Sequence, residues 1–329
     1  MFTIPHGDGL INTNQVHIDG INQFQNLFYY GIEFLAITLA LIHIISLIYL
    51  LKKFFIWRKT KDYQDFLGNP MKNSAIMGIF LTIDMTFNVI FALGNHFFLK
   101  NGPYFQLIMG PALISWIILF LFAMFFSMKI LKLSFTKEFN MDKMHFGFMI
   151  HPFALAMIAV TGFGIAAFSN NFAIASIAFF LSLLPLLSAI LLTVIKIVTM
   201  FQHHMKNNLP DRNFLPSTLI VMPVIMLIFM SFYRIGHYLH NSLNIHISES
   251  YFIMITIIPF AFLTWYGIFA LSLIKDYFKN FKDFDVSQWG FICPIAAFTV
   301  IGFFVSKLWL SVWMPLSYFL LIMVLFGIV

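Results

Sequence analysis

The chain has 329 residues, of which 60% are hydrophobic and 10% charged, with a mean hydropathy of +0.89. Soluble domains carry about a quarter charged residues; this composition excludes one and specifies an all-α polytopic membrane protein, whose spanning backbone satisfies its own hydrogen bonds. The formal charge of +6 needs no nucleic-acid partner, and a single cysteine rules out an intrachain disulfide.

Residues 1–30 are polar and contain no Lys or Arg. They lack the basic-then-apolar pattern of a cleaved signal peptide and form an expected extracytoplasmic segment, with His6, Asp8, His17 and Asp19 as a conceivable surface metal set. Residues 31–329 read as one transmembrane domain. A span needs about 20 mostly apolar residues, and nine such stretches follow: 31–51, 74–99, 105–131, 145–168, 172–199, 215–240, 251–274, 289–307 and 309–329.

Charge sets the expected orientation. Lys52, Lys53, Arg58, Lys59, Lys61 and Lys72 crowd the first loop, and Lys129, Lys132, Lys137 and Lys143 the third. Lys196, Lys206 and Arg212 mark the fifth, and Lys275, Lys279 and Lys282 the seventh. By the positive-inside rule these loops are cytoplasmic, so the N-terminus lies outside and the C-terminus inside a bacterial cytoplasmic membrane. His203 and His204 join the basic rim facing anionic lipid.

Spans two, four, six and eight run outward and three, five, seven and nine return. This is a helical hairpin repeated with a period of about 71 residues, the first span being the returning half of an incomplete hairpin. Pro152, Pro223 and Pro294 stand at equal intervals in Gly147-Phe-Met-Ile-His-Pro, Thr218-Leu-Ile-Val-Met-Pro and Gly290-Phe-Ile-Cys-Pro. Each proline frees a carbonyl four residues earlier, on Phe148, Leu219 and Gly290. Three bends in register predict a central pathway or site.

The residues before those prolines are His151, Met222 and Cys293. Imidazole, thioether and thiol suit a soft metal or a redox thiol; equally, three medium-sized side chains fill a constriction. Asp84 and Arg234 are ionisable groups inside spans, where charge is costly and faces a partner or a cavity. Arg234 suits an anion, because guanidinium offers paired donors; the alternative is a structural ion pair with Glu33 or Asp84. His43, His96, His151 and His237 lie in spans and raise haem b as an alternative cofactor. A phosphate-binding glycine loop, a zinc-protease motif and a nucleophile elbow are all missing from the sequence.

The tract Ser287-Gln-Trp-Gly-Phe-Ile-Cys-Pro-Ile, with Leu215-Pro216 through Pro223, resembles inner helices of the tellurite-resistance/dicarboxylate transporter (TehA-like) family, which includes the plant slow anion channels. The resemblance covers about residues 31–329, mostly as architecture. It implies five hairpins, an inner ring kinked by prolines, a phenylalanine gate and a homotrimer. Here the first inner helix is missing or replaced by the polar N-terminal segment. Cys293 stands where a gating aromatic is sought, with Phe291 and Phe298 as substitutes. A bacterial selenoprotein branch of the TsoY type is also similar, which would make Cys293 a redox residue. The expected function is therefore a channel or secondary carrier for a small anion, with no cofactor. The alternative is a membrane redox protein holding haem or copper, or cycling Cys293.

Overall fold

A computed structural model describes residues 13–17, 22–70, 72–99, 103–137, 145–207, 209–282 and 285–310. Among them, eight helical segments are long and apolar enough to cross a membrane. Their α-helical parts are α1 (Gln23–Trp57), α2 (Met77–Gly94), α3 (Pro103–Thr136), α4 (Ile150–Phe168), α5 (Phe172–Lys206), α6 (Val221–Leu243), α7 (Glu249–Leu273) and α8 (Ile292–Val305). The expected ninth span lies outside the described residues beyond Leu310, as do His6, Asp8, Asp19 and Lys143.

The first span differs from expectation. It starts at Gln23, where the Asn22 side chain caps the Phe24 amide at 3.3 Å, and runs 35 residues. At 1.5 Å per residue such a helix outreaches a bilayer core of about 30 Å. Its polar first turns therefore need not sit in lipid, so polarity alone did not mark where it begins.

Each outward helix is entered through a 3₁₀ segment: Asn73–Ile76, Phe146–Met149, Arg212–Ile220 and Val286–Phe291. Pro152, Pro223 and Pro294 occupy the third position of the α-helix that follows. They sit at the switch from 3₁₀ to α rather than bending the middle of a span. Proline has no N–H and suits such a first turn; the same 3₁₀ entry forms at Asn73–Ile76, ahead of a helix that has no proline. The four entry segments touch in order, first on second, second on third and third on fourth.

The outward helices form a row, α2–α4–α6–α8, each packed on the next; among the described residues no substantial packing joins the ends of the row, α8 and α2. The returning helices α3, α5 and α7 cover the row, and α1 leans on α2. The covering helices expose Leu107, Leu121, Leu187 and Ile268 outward, as lipid-facing surfaces do. At the centre, α4 is buried on every side from His151 to Ala167. Gly162 and several alanines let its neighbours come close; Trp116 and Ser182 fill the space a Cβ at Gly162 would need.

Two features express the hairpin repeat. Pro111, Pro185 and Pro259 lie inside α3, α5 and α7 and are evenly spaced along the chain. The returning helix also supplies a donor to the entry segment 48 residues earlier: Lys196 Nζ to the Phe148 carbonyl at 2.6 Å, and Tyr266 Oη to the Thr218 carbonyl at 2.8 Å. The carbonyl that Pro152 frees thus turns outward to the covering layer.

Candidate functional site

The polar centre of the row is built on α4. From α2, the Asp84 carboxylate accepts the Thr161 hydroxyl at 2.6 Å through Oδ2. Asn88, one turn on, donates to Thr161 Oγ1 at 2.7 Å and to the Asp84 carbonyl at 3.0 Å. Asp84 is fully buried, and its Oδ1 has no hydrogen-bond partner among the described residues. From α6, Arg234 Nη1 donates to the Val160 carbonyl at 2.5 Å. Gly164, one turn beyond Val160, makes room for this: a Cβ there would stand 2.5 Å from Nη1. Asp84 and Arg234 therefore engage adjacent residues of one helix from its two sides. They lie within electrostatic reach of each other but form no direct ion pair.

Glu33, the other acid expected to pair with Arg234, is engaged elsewhere. Its carboxylate bridges two histidines, His96 Nε2 at 2.8 Å and His17 Nε2 at 3.1 Å. A backbone carbonyl, not a carboxylate, holds the guanidinium, which leaves the cation uncompensated by contact among the described residues.

Two of the residues preceding the prolines, His151 and Met222, meet the covering layer. His151 is fully buried and its Nε2 lies 2.7 Å from Ser127 Oγ of α3. Met222 lies against α7, where a Cβ at Gly267 would meet its Cε at 3.3 Å. Cys293 is partly buried among apolar neighbours. An equal interval along the chain does not fix rotation about the helix: the contacts seen are His151 with Ser127 of α3 and Met222 with Gly267 of α7. Phe291 packs into Tyr277, Phe278 and Phe281 with centroids 5.5–6.1 Å away, and Phe298 stacks on Phe260 of α7 at 5.3 Å.

Lys196 and the paired histidines belong to α5 rather than to a loop. Lys196 is drawn inward onto the Phe148 carbonyl, His203 is buried, and the His204 ring stacks on Phe146 at 5.4 Å. The four histidines considered for haem have separate partners. His43 meets Thr86 at 2.8 Å, His96 meets Glu33, His151 meets Ser127, and His237 packs on Tyr233 and Phe252. Among the described residues no group of three or more His, Cys, Asp or Glu converges as metal ligands. Sequence reasoning missed Thr161, Asn88's bond to it, Val160 and Gly164. The pair Gly162 and Gly164 in a buried span, with Thr161 beside them, was the only available signal.

A row of apolar hairpins, covered by helices that expose leucine and isoleucine outward, defines a multi-pass membrane protein. Residues 9–329 match the family described as SLAC1, voltage-dependent anion channel, and the chain belongs to that family. Neither the curated proteins nor the solved structures contain a match to it.

Proposed function

We propose that this protein conducts small anions along the α2–α4–α6–α8 row, past the proline-marked entry segments and Arg234. The observation that carries the proposal is the Arg234 guanidinium. It is held by the Val160 carbonyl at 2.5 Å, has no carboxylate in contact among the described residues, and sits just past the middle of α6. At 1.5 Å per residue its position is about 20 Å along that helix, a depth where charge is retained only for a partner or a permeant ion. Membership of an anion-channel family supports the same reading. The basic loops face the cytoplasm in this proposal, which places the N-terminus outside, and a homotrimer is the assembly the family resemblance implies.

Purified protein in planar bilayers tests this. Wild type is expected to carry current whose reversal potential follows a chloride or nitrate gradient. Arg234→Gln is expected to lower conductance by about tenfold or more, the loss of ~1.4 kcal/mol of anion stabilisation. Cation-selective current, or an unchanged Arg234→Gln conductance, would overturn the proposal.

A further inference from the structure

Among the described residues Asp84 is the one acid carried into the fully buried interior. A carboxylate there has two ways to be tolerated: an opposite charge or a proton. The structure offers both in part. Thr161 satisfies Oδ2 at 2.6 Å, and Oδ1 has no partner among the described residues. Arg234 stands within electrostatic reach but is fastened by Nη1 to Val160, the residue next to Thr161. The guanidinium thus lies near enough to feel the carboxylate and free enough to receive another anion.

Two negative charges beside one guanidinium in a low-dielectric interior repel strongly. We propose that Asp84 and Arg234 form a proton-linked anion switch, in which an anion occupies Arg234 when Asp84 carries a proton and is expelled when Asp84 is ionised. This rests on the anion-conducting reading above and adds its regulation. The proton bound and the anion bound cancel, so the occupied state keeps the net charge of the empty, ionised one.

The other ionisable groups around Asp84 are few. From α1, His43 bonds Thr86 at 2.8 Å, two residues along α2 from Asp84. From α4 the contact is Thr161, which does not titrate in this range, and from α6 Arg234 acts through its charge without contact. Helix α3 meets α2 where Phe80 packs on Phe126, and its nearest ionisable residue, Lys129, lies on the exposed face. His43 is therefore the group whose contribution must be separated from that of Asp84.

Chloride efflux from liposomes of wild type and of single variants, at about pH 7.5 and about pH 5.5, separates them. Wild type and His43→Gln are expected to speed up several-fold at the lower pH. Asp84→Asn keeps an oxygen for Thr161 and is expected to be fast at both. A conducting wild type without pH response, or an Asp84→Asn variant with the full wild-type response, overturns the switch and leaves the anion-conducting reading standing. A wild type that passes no anion at either pH overturns that reading, and the switch with it. Proton uptake covers the case of a misfolded variant: chloride added to unbuffered wild-type protein in detergent is expected to raise the external pH, and chloride binding without proton uptake refutes the switch.

Discussion

Removing one oxygen tests the hairpin repeat. Tyr266 is 2% exposed and donates to the Thr218 carbonyl at 2.8 Å, on a residue 1% exposed. Tyr266→Phe retains the ring against Phe262, whose centroid is 5.7 Å away, so no cavity opens. What remains is a carbonyl stripped of its side-chain donor, costing about 1–3 kcal/mol. The equivalent change in the preceding hairpin, Lys196→Met, orphans the Phe148 carbonyl but also removes an inward-drawn cation whose contact is that carbonyl. Releasing such a charge from a low-dielectric site recovers up to several kcal/mol of desolvation. The tyrosine variant is therefore expected to be the more damaged of the two, although it loses the weaker hydrogen bond. Equilibrium unfolding in mixed micelles measures both. A Tyr266→Phe protein as stable as wild type, or a Lys196→Met protein that loses more than it, would refute the assignment of these bonds as equivalent carbonyl clamps.

Three further outcomes are expected. Gly164→Ala places a Cβ 2.5 Å from Arg234 Nη1 and 3.2 Å from Cζ, so the guanidinium must leave Val160; a helix-propensity gain of ~1 kcal/mol offsets part of the ~1.5–3 kcal/mol bond. Folding should change little while anion current falls, and intact current with altered stability would contradict this. Glu33→Gln removes the carboxylate that joins His17 to His96; faster hydrogen exchange at residues 13–17 is expected, and unchanged exchange would show that the bridge does not hold that turn. Cys293→Ser should conduct like wild type, since the thiol is packed against the apolar core; lost current would return the thiol to the mechanism.

Hydropathy and charge made the eight described spans legible, because lipid leaves a helix no other way to satisfy its backbone. The even spacing of Pro152, Pro223 and Pro294 located the junctions of the outward helices but misled about their form. Proline in a first turn costs no hydrogen bond within the helix, whereas mid-helix it bends the rod. The even spacing of Pro111, Pro185 and Pro259 carries the same repeat in the returning helices and was equally readable. Side-chain direction was not readable. Spacing places His151 and Met222 at one level, but the contacts with Ser127 and Gly267 depend on how each helix is rotated in the assembled bundle. Lys196 was counted with the fifth loop's basic residues under the positive-inside rule; only the folded hairpin shows the Phe148 carbonyl that draws it inward.

Every functional statement above requires an anion to come to rest against one guanidinium deep in α6. Anomalous diffraction from crystals soaked in bromide locates that ion directly. The account predicts a peak in contact with Arg234, beside Thr161 and stronger at acidic pH. Bromide bound reproducibly elsewhere along the row, with none at Arg234 at any pH, would contradict it.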